Sequence, residues 1–195
     1  MLTLNEKKVL RMLLTAFGEN YSINYIAKKC GISPNGSLKI LHKFEKEGIL
    51  NSKKIANIKS YYVNFENEKT RNIFELALIS EPKGRLKYRF DDLKQLKSIT
   101  YAGAIFGSYI DEKIEPNDMD ILIILDKKKF KIYKEKAREI YPTVPVKVHE
   151  VLQTEDDFSK NLLDKDKVLI GILRTGIILW GHRNIINLIE NGHKK

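Results

Sequence analysis

The sequence has a single cysteine, Cys30, so no bridge can form within the chain and a disulfide-framework fold is excluded. One cysteine in 195 residues also suits a reducing compartment. Long apolar runs are missing too. The longest, residues 121–125, has five members, where a membrane-spanning helix takes roughly 20. The opening MLTLNEKKVL has lysines but neither a long apolar centre nor a small-residue cleavage site, so neither a secretory signal nor a membrane partner is expected. There are no repeats and no low-complexity tracts. The expectation is a soluble, cytoplasmic globular protein. Acidic residues are scarce near the N-terminus. Residues 1–64 hold four (Glu6, Glu19, Glu45, Glu47) against eleven Lys/Arg, a net +7 of the whole chain's +10. The remaining residues, 24 basic and 21 acidic, carry only +3. A polyanion is therefore the expected partner of the first third; the alternative is a solvated lysine-rich surface.

Apolar residues make up 43% of the chain, enough at this length to bury a core in one large domain or two small ones. Thr3 and Glu6, three apart ahead of Val9, Leu10, Leu13 and Leu14, form a capping box and predict a first helix ending near Gly18. Ser22 predicts a second, short helix with Ile23, Ile26, Ala27 and Cys30 inward, stopped by Gly31. Ser33 as cap and Pro34 at the first helical position, where its missing N–H costs nothing, open a third helix that runs to about Glu47. Gly48 stops it, and β-prone stretches at 49–52 and 60–65, joined by KKIANIK, predict a small hairpin. On the third helix Ile40, Leu41 and Phe44 face the core. Lys39, His42, Lys43 and Lys46 share the opposite face at spacings of three or four. Such a basic helix face fits the major groove of DNA, and Lys53, Lys54 and Lys59 on the hairpin would hold flanking phosphates. Asn35, Ser37 and His42 are the candidate base readers. His42 has no second ligand at helical spacing and reads as a surface residue rather than a metal ligand.

This order of elements resembles the winged helix-turn-helix domains of prokaryotic transcription regulators over residues 3–65. IAKKCGIS supplies helix, turn and cap, and LHKFEKEGIL leads into the wing. The resemblance implies DNA as partner, or else a protein-interaction module. Residues 67–80 predict a helix that is apolar on several sides and therefore buried, linking domains or joining two chains in a homodimer. EPKG at 81–84 is turn chemistry. The expected domains are thus 1–66, a linking helix and turn at 67–84, and 85–195.

Beyond the turn the pattern predicts a helix (about 86–98), strands at 100–106 and 118–125, a helix at 128–140 and a strand at 145–152. Helices follow across 154–175, with Thr154 and Asp157 as a capping box, and then a short apolar segment, GIILWG, at 176–181. The expected class is α+β: a winged helix-turn-helix followed by a mixed α/β domain.

Within GSYIDEKIEPNDMDILIIL, Asp118 and Asp120 stand one residue apart at the start of the most apolar strand, so both carboxylates point to one face. Oxygen ligands of this kind suit Mg²⁺, which takes one or two carboxylates plus substrate phosphates. Gly107 and Ser108 follow the preceding strand, where glycine lets backbone approach a phosphate closely. The segment resembles the nucleotidyltransferase superfamily of DNA polymerase β, especially its minimal prokaryotic members, over about 85–181. Gly107–Ser108 matches the glycine-serine motif that holds phosphates of a nucleoside triphosphate, and Asp118 and Asp120 match the metal-binding aspartates. Minimal members often act with a separate helical protein partner. After glycine-serine they usually carry a small residue, an arginine and a glycine; here Tyr109, Ile110, Asp111 and Glu112 stand instead. They also take a third carboxylate from a later strand, here VPVKVHEVL. Alternation puts Lys147 and His149 on the polar face and Glu150 on the other. Three arrangements remain open: aspartates that hold Mg²⁺, aspartates paired to Lys147, or an unliganded edge pair.

Overall fold

The computed structural model of the chain describes residues 1–16, 19 and 21–193. It is an α+β protein, with nine α-helices and two β-sheets among the described residues. The chain divides into two compact units, Met1–Leu78 and Ile79–Lys195.

In the first unit α1 (Leu4–Leu14), α2 (Ile23–Cys30) and α3 (Pro34–Lys46) precede a hairpin of β1 (Leu50–Ile55) and β2 (Ile58–Val63), and α4 (Glu68–Leu78) closes it. Both hydrogen bonds of the capping box form: Glu6 N–H donates to Thr3 Oγ1 at 3.2 Å, and Thr3 N–H donates to Glu6 Oε2 at 2.7 Å. Thr15 caps the far end of α1; Gly18, where the spacing put that end, lies outside the described residues. Ser22 and Ser33 accept from Tyr25 N–H and Gly36 N–H, and Gly31 ends α2 at φ +65°. Leu10, Leu13, Ile26, Leu41, Phe44 and Phe74 make a fully buried core. The hairpin is longer than its composition predicts, with Ile55 paired to Ile58 around a two-residue turn, Ala56–Asn57.

Residues 67–80 do not form a free link. α4 packs on α1 and buries Thr70, Phe74, Ala77 and Leu78, while Leu76 and Ile79 stay exposed. The buried positions recur at i, i+4, i+7 and i+8, one helical face, so the helix belongs to the first unit and is not buried all round.

The second unit holds α5 (Leu86–Leu93), β3 (Ala102–Phe106), β4 (Asp118–Ile124), α6 (Phe130–Ile140), β5 (Lys147–Gln153), α7 (Glu155–Leu163), α8 (Lys167–Thr175), β6 (Ile177–Trp180) and α9 (His182–His193). A 3₁₀ stretch, Lys94–Ser98, finishes the helical region expected at 86–98. The strands lie in the order β5-β4-β3-β6. β3 runs antiparallel to both β4 and β6, and β5 is parallel to β4, which requires the crossover that α6 provides. Ile105, Met119, Ile121, Ile123 and Leu179 face Leu93, Leu96 and the α6 residues Tyr133, Ala137 and Ile140 across one side of the sheet. α7 and α9 pack on each other and on β5 and β3, over the opposite side where Leu122 and Ile124 are buried. Asp118 and Asp120 share that second side but lie at the start of β4, where both remain partly exposed.

Candidate functional site

β3 pairs with β4 so that Phe106 stands opposite Asp120. The chain then turns at Gly107, with φ +72°, into a single 3₁₀ turn, Gly107–Ile110. A Cβ at position 107 would overlap the Asp120 carboxylate, which fills the space above the glycine. The glycine-serine turn and the aspartate pair are thus one local structure. Ser108 is exposed beside it.

The acidic loop after this turn does have a cation, but from elsewhere in the chain. Arg85 donates from Nε to the Tyr109 carbonyl at 3.1 Å and from Nη2 to the carbonyls of Ile114, at 2.7 Å, and Asp111. Its guanidinium also lies 5.2 Å from the centre of the Tyr109 ring. Sequence reasoning missed Arg85 because a residue more than twenty positions upstream of the loop carries no spacing signal.

Lys147, one of the candidate partners of the aspartates, makes no ion pair with them; among the described residues their ion-pair contact is His149. In the parallel register Asp118 lies opposite Lys147 and Asp120 opposite His149. His149 nevertheless meets both: its Nδ1 is 3.2 Å from Asp118 Oδ2 and 3.8 Å from Asp120 Oδ1. The reason is length. A short, planar imidazole on the same face reaches the next strand's carboxylates, whereas the long lysine stem carries its ammonium away to solvent. Glu150 points to the other side, as alternation requires. It accepts from Tyr133 Oη at 2.6 Å, from Tyr141 Oη at 2.9 Å and from Lys134 Nζ. Burial raises the Glu150 pKa, but these three donors outweigh it and hold the carboxyl below its ordinary range. Burial likewise pushes both tyrosines well above theirs.

Among the described residues no group of three His, Cys, Asp or Glu side chains is arranged to hold a metal ion. Asp118 and Asp120, side chains 37% and 34% exposed, still offer the oxygen pair that Mg²⁺ uses when phosphates and water complete its shell. The donor set fits that ion on those terms.

In the first unit Asn35, Lys39, His42, Lys43 and Lys46 are exposed on α3, and Lys53, Lys54 and Lys59 on the hairpin. Ser37 is not with them. It is 0% exposed, turned into the core at the spacing of Leu41 and Phe44, so its hydroxyl cannot read a base. Lys43 Nζ lies 2.7 Å from Glu6, and Lys59 Nζ lies 2.8 Å from Glu45. A cleft of about 460 Å³ separates the start of α3 from the hairpin turn, lined by Asn24, Asn35, Asn57, Ile58 and Lys59. Cys30 is buried beside Met12, a core residue, and His149 lies in the other unit. No described helix is long and apolar enough to cross a membrane. No family model, curated protein or solved structure matches the chain.

Proposed function

We propose that the chain is a DNA-binding protein whose second unit transfers a nucleoside monophosphate from a nucleoside triphosphate to an acceptor hydroxyl. The observation that carries this reading is the contact between Asp120 and Gly107, which joins the carboxylate pair to the exposed glycine-serine turn in one local structure. Asp118 and Asp120 would hold Mg²⁺, which when bound supplies charge neutralisation of the phosphates. The Gly107–Ser108 turn would seat the β- and γ-phosphates. The acceptor oxygen forms a bond to the α-phosphorus, the bond from that phosphorus to the β-bridging oxygen breaks, pyrophosphate leaves with the electron pair, and the hydroxyl proton passes to water. The first unit would act as a winged helix-turn-helix, placing Lys39, His42 and Lys46 of α3 in the major groove and Lys53 and Lys54 on flanking phosphates.

A second reading is favoured by His149. Its contact with both aspartates, together with Glu150 engaged on the opposite side, supports a reading in which the second unit would be a transferase-like fold without a metal, serving a transcription regulator as a nucleotide sensor or dimerisation module. Titration calorimetry of nucleoside triphosphates with and without Mg²⁺ separates the two. The transferase reading expects Mg²⁺-dependent binding that Asp120→Ala abolishes. Absence of binding by the wild type, or binding unchanged in Asp120→Ala, would sink the metal assignment.

A further inference from the structure

Outside residues 127–138 the second unit is slightly acidic, at net −2, but that segment carries seven Lys/Arg against Glu135 alone, net +6. The charge falls on α6 and its 3₁₀ lead-in. Phe130 and Ile132 are exposed among the lysines at 46% and 50%. Beside α6 runs a groove of about 690 Å³, bounded by Phe130, Lys134, Arg138, Tyr141, Pro142 and Lys147. Lys134 is committed to Glu150, with its Nζ also 5.6 Å from the Phe130 ring centre. Arg138 and Lys147 have no ion-pair partner among the described residues and carry the groove's uncompensated charge.

We propose that this groove binds single-stranded nucleic acid. The surface has the two parts such binding needs: cations to follow a phosphate backbone and an open aromatic ring on which a base can stack. A duplex would need a helix or ribbon presented outward, and the groove instead sinks between α6 and the edge strand β5. A membrane would need an unbroken apolar face, which Glu135 and Glu139 on the outer side of α6 interrupt. The groove lies on the α6 side of the sheet with Glu150, whereas Asp118 and Asp120 lie on the other side at the start of β4, so the binding surface does not rest on the transferase reading above.

The test is fluorescence anisotropy of the full chain with labelled oligo(dT) and oligo(U) across a salt series. Arg138→Gln/Lys147→Gln should lower the slope of log affinity against log salt by about 1.4, two phosphate contacts at about 0.7 each. Phe130→Ala should weaken binding about 5- to 150-fold, the loss of one stacked base. Lys97→Gln/Lys113→Gln, exposed cations of the second unit outside the groove, should leave oligonucleotide affinity in place. The proposal is overturned if both groove variants bind like wild type, or if Lys39→Gln/Lys46→Gln on the first unit loses the oligonucleotide while the groove variants keep it. It is equally overturned if the groove variants lose only binding to phosphatidylserine vesicles. Oligonucleotide binding that depends on the groove, without Mg²⁺-dependent triphosphate binding, would keep this surface and remove the transferase reading. The converse result would do the reverse.

Discussion

Any side chain at position 107 must displace the Asp120 carboxylate and also hold φ at +72°, which costs an L-residue about 1–2 kcal/mol. Gly107→Ala should therefore lower the stability of the second unit by about 1–3 kcal/mol in urea unfolding, and calorimetry should show Mg²⁺-dependent triphosphate binding lost with it. Lys43 is a less simple residue than its exposure suggests. Glu6 is 7% exposed, and burial raises its pKa while Lys43 and Thr3 more than reverse that. Truncating Lys43 strands a buried carboxylate, so any loss of DNA affinity in Lys43→Ala would be mixed with a loss of fold. Glu150 makes a pH prediction. Its folded pKa lies below the ordinary 4.5, so its stabilisation is present above that value and lost as pH falls through the lower folded one. Glu150→Gln should flatten the acid limb of the second unit's stability; an acid limb identical to wild type would show that the cluster does not hold the carboxylate ionised. The common face of Asp118 and Asp120 was legible from period-two alternation alone. That His149 rather than Lys147 meets them was not, because alternation assigns a face while reach across strands depends on side-chain length and rotamer.

The helices of the first unit were legible because their caps are local: Thr3, Ser22 and Ser33 each satisfy an N–H three residues on. The hairpin turn was not. Ala56 sits at φ +51° without the asparagine or glycine that would announce such a turn at that position. Ala56→Gly should relieve about 1–2 kcal/mol of left-handed strain and return about 0.4–1 kcal/mol through the freer unfolded chain. The net expectation is a gain of about 0.5–1 kcal/mol, read as a higher urea midpoint with unchanged slope. A lower midpoint would mean the turn is not strained in solution. α9 went unread past GIILWG for a similar reason. Its buried Ile185, Ile186, Leu188 and Ile189 have helical spacing, but Gly181 in the preceding position offers no side-chain cap to mark a start. α4 was read as a helix and misassigned as a link, since apolar count does not reveal which neighbour, here α1, takes the buried face.

At the scale of the whole chain the charge separates two tasks. The first unit carries its excess on α3 and the hairpin, and the second carries its own on α6, away from an otherwise acidic surface. Each unit has its own buried core and its own candidate binding surface. This makes a double dissociation the sharpest prediction for the intact protein. Lys39→Ala/Lys46→Ala should weaken duplex DNA binding and lower its salt slope by about 1.8, two phosphate contacts at about 0.9 each, while Mg²⁺-dependent triphosphate binding stays at the wild-type level. Asp120→Ala should do the opposite, abolishing triphosphate binding at unchanged duplex affinity. These two lysines are the right probes because, unlike Lys43 and Lys59, neither is spent on an ion pair with α1 or α3. If Asp120→Ala changed duplex affinity, the units would be coupled, and the triphosphate site would act as an effector of DNA binding rather than as a separate catalyst. By reciprocity, whatever factor bound triphosphate imposes on duplex affinity, duplex DNA would impose on triphosphate affinity.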